Sequence, residues 1–559
     1  LHLSRLLPLL AAQLLLVFEK NGVVDHSQIA QSALLALGDD DTPTDLALRL
    51  DYNIEHILVD EFQDTAVTQF DLLLLVGIGT FAGVYVGAIP GLSVTMAVSI
   101  LISFTFSWDV YPAISLMIGI YMGGVYGGSR TAILLNIPGA PSAIATAMDG
   151  YPMALRGEAG TAIGVTTVMS FFGGFIGIFV LALAAPFVSD FALKFQPRDY
   201  MLLAVLGVLL VGSLSQGSLA KGILAGALGI AIGAVGRDAL TFTERFTFDL
   251  PMMQSGINFI AVMIGMFGVS EALLQLHHVK SPAIRQKITR IVPSWATVRR
   301  HLPLSLQTST IGVIIGALPG TGGDIAALMA YDHAKRVTKN PEVPFGKGAM
   351  EGLVAPETAN NAAVGGAFIP MMTLGIPGDA VTAIMIGALF IHGLNPGPML
   401  MIDKPDMFWF IVGALVMANC FMLLFGLTGI KLFTKIVEMP RSVLIPLILL
   451  LSIVGAYAVN NSLTDVYWML GFGFFGYFMR HYGYPLGPVI LGVILSRLLD
   501  DNWRRAIISE REDLGRFFYG IVTSPLSLVL FLAVILIFVS QTPLWAWGKA
   551  RLRAGKSDE

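Results

Sequence analysis

The pentapeptide Gly87-Ala88-Ile89-Pro90-Gly91 returns as Gly316-Ala317-Leu318-Pro319-Gly320, and both copies lie within apolar sequence. A second pair follows in the same order. Asn136-Ile137-Pro138-Gly139 is answered by Gly375-Ile376-Pro377-Gly378, and double glycines, Gly127-Gly128 and Gly365-Gly366, precede the two copies. Shared order over such distances indicates a duplicated core. The two repeats are expected over residues 72–277 and 303–505, joined by a basic linker at 278–302 and followed by a membrane helix and basic tail at 506–559.

The chain around these motifs is made for lipid. Of 559 residues, 55% are hydrophobic and 13% charged, whereas soluble domains carry about 25% charged residues. Runs such as 160–188, 408–433 and 525–540 approach the roughly 20 residues that cross about 30 Å of hydrocarbon. Counting them from Leu72 onward gives about 11–13 membrane segments. The fold class expected is therefore an all-α polytopic membrane protein. Glycines at small-xxx-small spacing, Gly173/Gly177, Gly222/Gly226 and Gly229/Gly233, fit close helix packing.

Proline-glycine at membrane depth removes a backbone donor and admits conformations that a helix cannot hold. Lipid supplies no replacement partner, so such breaks persist only where protein or a hydrated cavity surrounds them, as in the discontinuous helices of secondary transporters. Four breaks at matching places point to one central site.

Basic residues set the sidedness. Lys280, Arg285, Lys287, Arg290, Arg299 and Arg300 cluster before the second repeat, and Lys335, Arg336, Lys339 and Lys347 within it. The positive-inside rule puts both loops in the cytoplasm. Residues 303–331 between them are too short for two spans and too long for one, which predicts a re-entrant hairpin with Pro319 near its tip. Inverted repeats would place the Pro90 break in a hairpin entering from the other face.

Residues 1–71 are different in kind. They carry 3 Lys/Arg against 12 Asp/Glu, while the remainder carries 31 against 26. The opening run 6–18 reads as a soluble helix, because only Arg5 flanks it and no small-residue cleavage site follows. The stretch from His56 to Thr65, with Asp60 and Glu61 after an apolar strand-like run, resembles the Walker B box of a UvrD/RecB-like helicase. Nucleotide chemistry also needs a phosphate loop with its lysine, and no G-x-x-x-x-G-K-[ST] occurs in the chain. With Leu1 in place of an initiator methionine, a fusion or gene-calling remnant is expected, not a helicase-type ATPase. The single Cys420 excludes an internal disulfide, and the nine histidines contain no HExxH pair. His277, His278 and His301 fall in the basic linker region, and neither a metal centre nor a cofactor is expected.

Longer motifs carry a family resemblance. Gly123-Gly124-Val125-Tyr126-Gly127-Gly128-Ser129, the Asn136 to Ala140 segment, Asp149-Gly150-Tyr151-Pro152-Met153-Ala154, and Ala355-Pro356-Glu357-Thr358-Ala359-Asn360-Asn361-Ala362-Ala363 followed by Gly365 to Pro370 resemble the large membrane subunit of tripartite tricarboxylate transporters. The similarity covers about residues 72–505. It implies a bacterial inner-membrane permease, not an enzyme, that takes up carboxylates with a coupling cation, Na⁺ or H⁺. It also implies two protein partners, a periplasmic solute-binding protein and a small membrane subunit of about four helices, and no nucleic acid.

Helix N-termini at the breaks can face an anion, which makes Gly91, Gly139, Gly320 and Gly378 candidate backbone contacts. Ser93, Ser129, Thr131, Asn136 and Thr321 can supplement them. Asp324, Glu357, Asn360, Asn361 and Asp379 are the candidate cation-coupling set, with Glu357 foremost, since ionisable residues at membrane depth are functional by default. Asp149 and Asp379 could instead cap helices. Arg130 departs from the family pattern and has two readings: a bidentate contact to substrate, or an arginine that reaches the interface or pairs with Asp149. A passive channel, a membrane sensor and an intramembrane enzyme are the rival classes; no nucleophile-and-base spacing supports the last.

Overall fold

The computed structural model describes residues 38–39, 42–43 and 54–540, apart from 90–91, 137–138, 215–218, 239–241, 277–290 and 430–440. The chain divides into two compact units, Leu1–Asp71 and Leu72–Glu559. In the first, a two-residue antiparallel pair joins Gly38–Asp39 to Thr42–Pro43.

The first half runs through α1 (Ile54–Ala88), α2 (Val94–Thr105), α3 (Val110–Leu135), α4 (Ala143–Leu155), α5 (Ala159–Ala192), α6 (Pro197–Leu214) and α7 (Leu219–Gly233). A short hairpin, Gly236–Arg237 paired with Glu244–Arg245, leads to α8 (Phe259–Met263), which passes through a π-helical turn, Ile264–Val269, into α9 (Ser270–Gln275). The second half has α10 (Trp295–Ala317), α11 (Gly322–Val337), α12 (Glu351–Leu374), α13 (Ala380–Ile391), α14 (Pro398–Asp403) and α15 (Pro405–Thr428). It continues with α16 (Arg441–Asn460), α17 (Leu463–His481), α18 (Leu486–Ser509), α19 (Leu514–Thr523) and α20 (Pro525–Ser540). The helical content follows from the apolar runs. Residues 56–65 correct the strand-like reading: they lie inside α1, whose helical hydrogen bonding continues into the apolar stretch after them.

Among the described residues, four helices are long and apolar enough to cross a membrane: Gln69–Ala88 within α1, α3, α5 and α15. The pair α19 and α20, bent by 98°, passes the same test when taken together as one broken span. The 11–13 apolar runs of the sequence thus resolve into few unbroken long helices and many shorter ones, because Pro-Gly breaks and polar residues divide them.

Each half is interrupted where its Pro-Gly motifs fall. α3 ends on Asn136 in the left-handed conformation, φ 54°, and α12 ends on Gly375, φ 69°, 239 positions later. α10 and α11 fold back on each other about Pro319, since Gln307 and His333 meet at 3.1 Å across the pair. That is the hairpin expected for 303–331. Its base is fastened to α12 by His301 and Glu351, 3.8 Å apart.

The packing inside each half is duplicated residue by residue. On α1 and α3, Gly83 abuts the Ile120 carbonyl, Gly87 that of Gly124, and Gly127 that of Val84. On α10 and α12, Gly312 abuts the Ala359 carbonyl, Gly316 that of Ala363, and Gly366 that of Val313. Every contact in the second set is the first displaced by 229 positions on one helix and 239 on the other. In both halves the helices approach until a Cβ would strike backbone, and the paired numbers rise together, so α1 parallels α3 and α10 parallels α12.

The counterpart helices α3 and α12 cross in opposite directions. Ser129 meets Glu357, Val125 meets Asn360, and Tyr121 stacks on Phe368 with ring centroids 6.0 Å apart. Numbers that rise on one helix fall on the other, which makes the duplication an inverted one.

Candidate functional site

The breaks converge where α3 and α12 cross. Gly320 N–H donates to the Pro377 carbonyl at 3.2 Å, which joins the two breaks of the second half. Gly378 is wedged against the Gly316 carbonyl and Ala367, as Gly139 is against the Gly87 carbonyl and Gly128. Pro90, Gly91 and Pro138 lie outside the described residues.

Of the helix starts after the breaks, those of α2 and α13 carry side-chain caps, which supply partners that a packed interior without water cannot, and those of α4 and α11 carry none. Ser93 accepts the Met96 N–H at 3.1 Å and begins α2. Asp379 accepts the Thr382 N–H at 2.7 Å while Thr382 returns a bond to the Asp379 N–H, a capping box that begins α13. Tyr121 of the other half donates its hydroxyl to the same carboxylate. Asp324 reaches across to the first half and accepts the Ser142 N–H at 2.9 Å, just ahead of α4. Asp149 accepts N–H groups from Gly346, Gly348 and Ala349, each at 2.8 Å, and the Tyr331 hydroxyl at 2.9 Å.

Glu357 is surrounded differently. It is 1% exposed and receives hydroxyls alone: Ser129 at 2.6 Å and Thr146 on Oε1, and Ser170 at 3.0 Å on Oε2. These hydroxyls come from α3, α4 and α5, so three helices of one half enclose a carboxylate of the other.

Other predicted residues are placed as follows. Asn360 donates to the Val125 carbonyl at 3.3 Å, Asn361 to its own helix at the Glu357 carbonyl, and Thr131 to the Gly128 carbonyl. Thr321 donates to the Leu318 carbonyl at 3.0 Å, and Gly139 N–H to the Gly128 carbonyl at 3.4 Å. The N–H groups of Gly139 and Gly320, read from the sequence as open to an anion, are therefore engaged by protein carbonyls. Asn136 is exposed.

Arg130 neither reaches the interface nor pairs with Asp149. It is fully buried, and it donates to the carbonyls of Phe425 at 3.1 Å and Gly426 at 2.7 Å, with Tyr126 alongside. Cationic groups suit a helix C-terminus, and this one closes the last turn of α15; Asp149 is not its partner. At the base of the hairpin, burial lowers the His301 imidazole, but hydrogen bonds with Glu351 and the Thr297 carbonyl outweigh it and leave the group raised. Sequence reasoning missed Tyr121, Ser142, Thr146 and Ser170. A scan for hydroxyls inside apolar helices would have found Thr146 and Ser170, though not their common target.

Broken helices in two inverted halves, meeting at a buried polar centre, are an architecture that membrane transporters use. The chain belongs to the tripartite tricarboxylate transporter TctA family, which it matches over residues 73–491. This is a family of membrane transporters, not of enzymes. The UvrD/REP helicase N-terminal domain matches a short stretch, residues 7–82. Among relatives, an uncharacterized 52.8 kDa protein of the TAR-I ttuC' 3' region of Agrobacterium vitis is 36% identical over 467 residues, covering 83% of this chain and 91% of the relative. An uncharacterized protein of the TAR-II ttuC' 3' region of the same organism is 38% identical over 216 residues, 39% of this chain and 87% of the relative. No solved structure matches the chain.

Proposed function

We propose that this chain is the permease subunit of a binding-protein-dependent importer that carries a carboxylate, of the dicarboxylate or tricarboxylate class, into the bacterial cytoplasm together with a cation. The observation that supports it most is the crossing of α3 and α12, where broken helices of opposite polarity enclose Glu357, Asp324 and Asp379. An inverted pair of halves rocking about a shared centre gives alternating access. Ionisable groups buried there give the coupling cation something to neutralise. The substrate carboxylate meets the break-flanking polar groups, including Ser93, Ser129, Thr131 and Thr321, after those groups exchange some of their present internal bonds for bonds to the ligand. The partners are a periplasmic binding protein, which filters substrates, and a small membrane subunit.

Uptake of labelled citrate and shorter dicarboxylates into vesicles holding the complete assembly tests this. The expected result is accumulation that requires the binding protein and collapses when Na⁺ and H⁺ gradients are abolished. Accumulation against a gradient with neither ion gradient present would overturn the symport reading, and downhill flux without the binding protein would indicate a channel.

A further inference from the structure

Four acids lie at or beside the centre, and their surroundings separate one from the rest. Asp149, Asp324 and Asp379 each accept at least one backbone N–H. An N–H is fixed in direction and can only donate. Those carboxylates are committed to helix starts and loops, and a cation arriving there would face the positive ends of the same donors. Glu357 has no N–H partner among its hydrogen bonds; all its donors are hydroxyls. A hydroxyl donates or accepts as its hydrogen rotates, so this shell alone can turn its lone pairs inward when a cation enters.

From this we infer that Glu357, Ser129, Thr146 and Ser170 form the binding site for one monovalent metal ion, Na⁺ in the first instance. The donors are two carboxylate oxygens and three hydroxyl oxygens, hard ligands of the kind that suit a hard cation. All four residues are at most 1% exposed. A single carboxylate in a buried site is neutralised by one positive charge and over-compensated by two, which selects a monovalent ion. Among the described residues no group of three His, Cys, Asp or Glu side chains is placed to hold a metal. Since Glu357 belongs to the second half and its three hydroxyl partners to the first, an ion bound here fastens the halves together and leaves them freer to separate when it departs. The inference rests on the transport reading only for its purpose, not for its position.

The test uses the purified full chain without substrate. Its thermal unfolding is followed while NaCl replaces choline chloride at constant ionic strength, because an ion that binds only the folded state raises the unfolding midpoint saturably. Glu357→Gln is expected to abolish the Na⁺-dependent rise. Thr146→Val and Ser170→Ala, milder changes that keep the fold measurable if the glutamine variant is unstable, are expected to raise the half-saturating Na⁺ concentration about tenfold, equivalent to about 1.4 kcal/mol. Asp149→Asn is expected to shift the midpoint itself but to keep the Na⁺ dependence. A wild-type protein indifferent to Na⁺ at every pH overturns the inference, as does a Glu357→Gln variant that responds fully. A midpoint that follows pH alone, with the pH dependence lost in Glu357→Gln, overturns it in favour of a proton. None of these outcomes depends on carboxylate uptake, so the site and the transport reading can fail separately.

Discussion

Arg130 is the largest of the fully buried side chains, and its guanidinium closes the end of α15 on the Phe425 and Gly426 carbonyls. A buried cation without such acceptors would be untenable, and acceptors stripped of their donor would be left unsatisfied in turn. Arg130→Met is therefore expected to destabilise the protein by about 3 kcal/mol, seen as a lowered thermal midpoint in detergent, with substrate affinity of the folded fraction intact. Arg130→Lys is expected to recover only part of the loss, because an ammonium cannot present the planar fork that spans two carbonyls. Lost substrate binding at unchanged stability would place Arg130 against the substrate instead. The same residue shows a limit of sequence reading. Its cost at membrane depth was legible from composition, but its partners stand 295 and 296 positions away on another helix, and nothing local to Arg130 announces them.

At the level of elements, the repeated glycines make a prediction that duplication alone would not. Gly83 and Gly312 occupy equivalent places, each pressed on a carbonyl of its parallel partner, Ile120 and Ala359. Gly83→Val and Gly312→Val are expected to be about equally damaging, on the order of 3 kcal/mol each from overpacking against immovable backbone. Gly413→Val on α15, where an added Cβ meets open space, is expected to change stability little. Comparative thermal unfolding of the three variants checks this; a mild Gly312→Val beside a severe Gly83→Val would mean that the halves do not pack alike. The breaks behind these contacts were readable, since Pro-Gly inside apolar sequence leaves few physical options. The destination of the acids was not. Whether Asp324 holds a cation or accepts the Ser142 N–H depends on which backbone donors the fold orphans, and that is settled only when α4 and α11 are brought side by side. The hydroxyls around Glu357 were hidden for the opposite reason, because serine and threonine inside a membrane helix most often bond their own preceding carbonyls, as Thr166 and Thr358 do here.

Across the whole membrane unit, the architecture is symmetric and the charge is not. The positions equivalent to Asp324, Glu357 and Asp379 in the first half are Thr95, Ile118 and Ala140, so the duplicated frame holds one acidic centre instead of two. Sidedness follows from the same frame. Gly173 and Gly177 on α5 meet Thr358 and Ala362 on α12, which makes those helices parallel, and Tyr111 and Arg130 on α3 meet Phe410 and Gly426 on α15 likewise. One face then carries the turn after α4, where Arg156 donates to the Lys347 and Gly348 carbonyls, together with Arg299 and Arg300 near the start of α10 and Lys335 and Arg336 in the last turn of α11. The other face carries the Gly236 to Arg245 hairpin, held by Arg245 and Arg504 on Asp238 and Asp500, and the turn around α14. The positive-inside rule puts the first face in the cytoplasm. With the exposed Cys420 first replaced by serine, single cysteines at the exposed positions Asp249 and Asp403 are expected to react with a membrane-impermeant maleimide on intact cells. Cysteines at the exposed positions Glu158 and Lys339 are expected to react only after permeabilisation. The opposite pattern would show that the basic loops face outward, and a pattern that groups Glu158 with Asp403 and Asp249 with Lys339 would contradict the antiparallel crossing of α3 and α12, because only inverted halves put the turn before α5 and the turn before α12 on the same face.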